Sequence, residues 1–291
     1  MRRPLFSSSL VGALLALAPR LSAAGNVTAF VDADGVLVVR GDELDNRVVV
    51  GRTGIPGEFV VRGEVFTTVN GMNEVVLIAD DVRIFMRSGN DEARVDGVVP
   101  GFVHVEGGPG NDRLSLGDPF VLGTALLDGG AGDDHLGMEG AVANAGLHMI
   151  GGSGTDDVQL AFAIVNERFV LELGAGDDFV IISNSDLNGS FVFEGAAGAD
   201  EIVMLESSVS ADTRLALAAG EDAVTSERNT FGGRLEIELG PQDDALTLTA
   251  TTVAGPATFR AAGGTDTYTD PGDNDFQSGP PSLAGFEEFE P

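Results

Sequence analysis

Three stretches, GGPGNDRL (residues 107–114), GGAGDDHL (129–136) and GGSGTDDV (151–158), repeat one pattern at a spacing of 22 residues. The acid at its sixth position continues through the chain as Asp112, Asp134, Asp156, Asp178, Asp200, Asp222, Asp244 and Asp266, with no insertion or deletion. Two residues before it stands glycine in every unit except at Gln242, and two after it an apolar or aromatic residue from Leu114 to Tyr268. A fixed period of this length marks a repeat architecture.

Other columns of the same frame define the repeat. Val105, Leu127, Met149, Leu171, Phe193, Leu215, Ile237 and Phe259 form an apolar column, with Val103, Ala125, Leu147, Phe169, Phe191, Thr213, Leu235 and Ala257 two residues earlier. That is the alternation of a strand. A third column runs from Val121 through Ala143, Val165, Leu187, Val209 and Phe231 to Val253. Short strands between Gly-rich corners, with no matched antiparallel partner inside a unit, bury their apolar columns by coiling so that each unit stacks in parallel on the last. The expected fold is therefore all-β: a parallel β-solenoid, right-handed by the crossover rule, of about eight regular 22-residue coils over residues 99–274. At about 4.8 Å per coil the regular part is about 38 Å long. Asn144, Asn166 and Asn188 are expected to stack as an amide ladder at one turn.

Residues 25–98 keep short apolar runs and decayed corners, one of them carrying Asp91, and are expected to form irregular first coils and a cap; residues 275–291 are expected to cap the far end. Residues 1–24, with Arg2 and Arg3 before an apolar run and small residues at Ser22, Ala23 and Ala24, resemble a signal peptide, too short to span a bilayer. The expectation is a secreted or cell-surface protein, or a periplasmic one, with no membrane span in the mature chain.

The formal net charge is −30, the chain has no Cys, and all 16 of its basic residues are Arg. Such a charge repels nucleic acid and anionic membrane and favours cations. Stacking sets the column carboxylates about 4.8 Å apart, which costs roughly 0.9 kcal/mol per pair in water and roughly 3.5 at an effective dielectric of 20. A bound cation, a raised pKa or splaying into solvent must relieve this. A plain structural turn, in which each Asp bonds a nearby N–H, is the competing reading.

The three quoted stretches resemble the G-G-x-G-x-D-x-U-x nonapeptide of RTX, or haemolysin-type, calcium-binding repeats. The resemblance implies several Ca²⁺ ions held by Asp112, Asp134, Asp156 and Asp178 with the turn glycines Gly108, Gly110, Gly130, Gly132, Gly152 and Gly154. It departs from the family in placing one motif per 22 residues instead of one per nine, and the later copies lose glycines. Millimolar extracellular Ca²⁺ fills even weak sites. The expected role is a structural or binding module that takes up calcium, with extracellular polysaccharide or cell-surface proteins as further partner classes. A metal-free surface adhesin is one alternative. Another is a polysaccharide lyase- or hydrolase-like enzyme, because coils of this length also resemble the pectate-lyase β-helices. No nucleophile triad, phosphate loop or zinc spacing is present, so no catalytic residue is assigned; His104, His135 and His148 read as surface residues.

Overall fold

The computed structural model describes residues 25–290; the signal-peptide expectation lies outside them. All described elements are strands, and most of them stack in parallel as a β-solenoid of about nine turns at about 22-residue spacing. Each regular coil after the first has three strands; in the first, Arg113–Val121 runs on as one strand where later coils have two. In the second they are Ala125–Ala131, His135–Glu139 and Val142–Ala143, and each pairs with its equivalent one coil on: Leu127 with Met149, Leu136 with Val158, Ala143 with Val165.

The alternation read from the sequence sets the packing. Val105, Leu127, Met149, Leu171, Phe193, Leu215, Ile237 and Phe259 are all buried, as is the column from Val121 to Val253. Larger residues fill the middle coils, where Phe169 and Phe191 stack with ring centres 4.9 Å apart and planes 7° from parallel. Burying such a side chain is worth about 1.5–3 kcal/mol against leaving it in water. Asn166 donates to Asn144 Oδ1 at 3.2 Å and Asn188 to Asn166 Oδ1 at 2.7 Å, which is the expected amide ladder.

The Gly-rich corner is tight. At Gly132 and Gly154, φ is +132° and +124°, and a Cβ would lie 2.0 Å and 2.2 Å from the carbonyl oxygen of the glycine one coil earlier. Gln242 occupies the same column at φ +97°. A non-glycine residue there holds backbone strain of about 1–3 kcal/mol, partly offset by its lower entropy when unfolded. Gln242→Gly is therefore expected to stabilise the chain by about 1 kcal/mol in a denaturant titration, and an unchanged or lower midpoint would count against a strained corner.

Both ends depart from the regular coil. Residues 25–98 combine antiparallel pairs, Asn26–Val31 with Leu37–Arg40 and Arg47–Arg52 with Glu58–Gly63, with parallel strands that start the stack. The 21-residue step from Asp91 to Asp112 is absorbed by a bulge, since Gly117 pairs with Asp96 but Phe120 with Val98. At the far end the chain continues the stack instead of lying across it: Asp275–Phe276, Ser282–Ala284 and Glu288–Glu290 pair in parallel with the last regular coil. Phe276, Leu283 and Phe286 close the core there.

Candidate functional site

The Asp column faces inward. Nine residues, Asp91 and the eight of the regular period, are at most 2% exposed. The reason is the strand that follows the corner: Asp112 shares the parity of Leu114 and Leu116, so all three point to the core. Splaying into solvent is thereby removed as a way of relieving the charge.

Each column carboxylate splits its two oxygens. Oδ1 accepts a hydrogen bond from the backbone N–H of the column residue one coil earlier: Asp91 N to Asp112 Oδ1 at 2.7 Å, Asp112 N to Asp134 at 2.7 Å, Asp134 N to Asp156 at 2.8 Å, and so on to Asp244 N with Asp266 at 3.0 Å. The turn is thus clipped between coils and not within itself. A second ladder on the outer side runs the opposite way, with Asn111 Oδ1 accepting from Asp133 N at 3.1 Å and Asp133 Oδ1 from Thr155 N at 3.0 Å.

Oδ2 of all nine aspartates is buried with no hydrogen-bond partner. An unpaired carboxylate oxygen away from water is costly, and the usual responses are protonation or a cation. Burial, reinforced by neighbouring carboxylates, pushes Asp112, Asp134, Asp156, Asp200 and Asp244 up to about 7 and Asp91 to about 6, against the backbone hydrogen bond that favours the charged form. Burial also raises Asp178 and Asp222.

The residue five before each Asp decides what stands beside Oδ2. At Gly107, Gly129, Gly151 and Gly195 a Cβ would lie 2.3–2.5 Å from Oδ2 of Asp112, Asp134, Asp156 and Asp200, and 2.6–2.7 Å from the carbonyl oxygen of the equivalent residue one coil on. The carboxylate and a backbone carbonyl thus close tightly over each of these glycines and bring together two oxygen donors of the kind Ca²⁺ takes. Five residues before Asp178, Asp222 and Asp244 stand Leu173, Leu217 and Leu239 instead, all buried. Among the described residues no three His, Cys, Asp or Glu side chains converge on one point, so a cation here depends on main-chain carbonyls. At the four glycine-backed turns the donors, a carboxylate and a carbonyl oxygen, are of the kind calcium takes, in closely packed surroundings. Asp178, assigned by resemblance, is brought into the column but has Leu173 five residues before it; Asp200, in a copy that lost one glycine, keeps Gly195 at that position.

The opposite interior corner was missed in the sequence. Ser185, Ser207, Asn229 and Thr251 recur at 22 residues and are buried. Ser185, Ser207, Asn229 and, one coil beyond Thr251, Asn274 accept the same inter-coil bond: Ala163 N to Ser185 Oγ at 3.1 Å, Ser185 N to Ser207 Oγ at 3.1 Å, Ser207 N to Asn229 Oδ1 at 2.8 Å and Thr251 N to Asn274 Oδ1 at 2.8 Å. Asn229 and Asn274 also satisfy their second atom, Nδ2 donating to Met204 O at 2.7 Å and to Leu248 O at 2.8 Å. The spacing of these four residues was the available signal.

His135 bonds Asp157 at 3.0 Å and His148 bonds Glu172 at 3.1 Å on the outer faces.

The raised column has a consequence for metal-free protein. Folded-state pKa values above the unfolded 3.8 mean that the folded chain binds more protons between about pH 4 and 7. Stability is then full below the unfolded value and lost as pH rises through the folded one. Melts in chelator are expected to fall in temperature from pH 5 to pH 8, and a flat or rising profile would show that the column is neutralised by something other than protons.

No protein-family model matches the chain, and no curated protein or solved structure is significantly similar to it.

Proposed function

We propose that the chain is an extracytoplasmic, calcium-ordered β-solenoid, a rigid acidic rod that serves as a structural or binding module. The observation that carries the reading is the contrast between the two interior corners. Both need an acceptor for a backbone N–H of the coil before, and at one of them Ser185, Ser207, Asn229 and Asn274 supply it with their other side-chain hydrogen bonds also made. At the other the chain uses Asp nine times out of nine and leaves Oδ2 bare each time. The hydrogen bond alone does not call for a carboxylate, whereas a cation does.

Asp112, Asp134, Asp156 and Asp200 would hold the ions, with main-chain carbonyls of the next coil such as Gly129 O and Gly151 O. Calcium supplies the positive charge that lets the stacked carboxylates lie buried and ionised at neutral pH. The chain's own part is to fix each carboxylate through its Oδ1 bond, to keep side chains out of the space at the glycines, and to exclude water from it. Secretion, suggested by the N-terminal sequence, would place the protein where calcium is plentiful. Calorimetric titration of Ca²⁺ into chelator-treated protein tests the proposal. Saturable heat with a stoichiometry near four supports it. No heat would leave a ladder neutralised by protons, the reading favoured by the closed surroundings of Oδ2, and would return the chain to a metal-free scaffold.

A further inference from the structure

We propose that the N-terminal end of the solenoid pairs edge to edge with a second copy of this chain, through strand Glu74–Ile78. This strand ends the sheet formed with Glu58–Gly63, and among the described residues no other strand pairs with it. The bonds Gly63 N to Asn73 O at 3.0 Å and Ala79 N to Gly57 O at 2.8 Å bracket the pairing. By antiparallel alternation they make Val75 and Leu77 the residues bonded inward. The N–H and C=O groups of Glu74, Val76 and Ile78 therefore point away from the sheet.

The side chains make this edge adhesive. Val75 and Leu77 pack against the core, while Val76 and Ile78 are 51% and 72% exposed. Proteins blunt free edges with charge, proline, bulges or brevity, and the other ends of this solenoid do so. Thr68–Val69 is two residues long, Pro280 and Pro281 precede Ser282–Ala284, and the last strand carries Glu288 and Glu290. Glu74–Ile78 has one acid, and Arg62 neutralises it at 3.1 Å.

The free groups are self-complementary. A twofold axis through Val76 sets Val76 against Val76 of the second copy and Glu74 against its Ile78. Three bonded residue pairs result, with about six N–H···O=C bonds, and both open edges close at once. Because, among the described residues, the other terminal strands named above are short, preceded by proline or acidic, association stops at two instead of propagating along the rod. One strand pair buries less than the roughly 1,600 Å² of a standard interface, so the dimer is weak, in the micromolar range. Two chains of formal charge −30 repel, so salt strengthens the association by screening, the reverse of a dimer held by ion pairs. The inference is independent of calcium.

Sedimentation velocity on the full chain tests it, from about 5 to about 200 µM, in low salt and in about 0.5 M NaCl. The expected result is a concentration-dependent doubling of mass, stronger in salt, absent in Val76→Lys and in Val76→Pro, with circular dichroism and melting unchanged in both. Proline fits an outward-facing edge position because its missing N–H was unpaired within the chain. A wild-type chain that stays monomeric overturns the proposal. So does a dimer that survives both substitutions, or one that grows into open polymers.

Discussion

Ca²⁺ at about 10 mM added to chelator-treated protein at pH 7.5 is expected to raise the melting temperature by on the order of 10 °C or more. A site with a dissociation constant near 10⁻⁴ M, typical of extracellular modules, stabilises by about 2.7 kcal/mol at a hundredfold excess. In a domain of this size each kcal/mol moves the midpoint by roughly 2–4 °C. One filled turn thus gives about 5–10 °C. The glycine-backed turns at Asp112, Asp134 and Asp156 are consecutive in the stack, so an ion at one fixes a coil that the next also uses. Stacked repeats melt by units, and calcium is expected to sharpen the transition as well as move it. Mg²⁺ at the same concentration should do less, because it demands octahedral geometry and gives up its waters reluctantly. Calorimetric scans in chelator, Ca²⁺ and Mg²⁺ make the comparison. An unchanged melt in calcium would take the metal out of the account.

The fold was legible because the period survives in eight coils and because the apolar columns alternate. Leu127, Met149, Leu171 and Phe193 are buried where parity puts them. The ends were less legible. There the pairing partners are not 22 residues away: Phe85 pairs with Glu106, and Phe259 with Leu283. Without a fixed offset nothing in the sequence separates a cap from another coil. The inward direction of the Asp column was readable in principle, since Asp112, Leu114 and Leu116 share one parity, but a charged residue in a Gly-rich turn suggests solvent. Which carboxylates pack against a glycine depended on the residue five before the Asp. Gly129 and Leu173 look there like tolerated variation in a repeat until the packing shows that this position faces Oδ2.

Replacing Asp134 and Asp156 together by Asn is expected to act in opposite directions with and without metal. In chelator at pH 7.5 the double variant should melt above the parent. The amide keeps an acceptor for the N–H groups of Asp112 and Asp134, removes two buried charges, and presents a donor where Oδ2 had no partner and Gly151 O and Leu173 O lie nearby. Asn229 and Asn274 already bond both atoms in this way at the other interior corner. Satisfying a buried polar atom is worth about 1–3 kcal/mol, so the gain is several degrees. In saturating calcium the order should reverse, because a neutral amide cannot balance the ion and two of the four turns lose it. Asp178→Asn provides the control: beside Leu173 it should show the gain in chelator and keep the parent's response to calcium. If the double variant melts below the parent in chelator, the carboxylates are satisfied without metal and the calcium proposal falls. If it melts higher in chelator and responds to calcium as the parent does, the ions sit elsewhere on this acidic surface and the column is a proton-neutralised clip between coils.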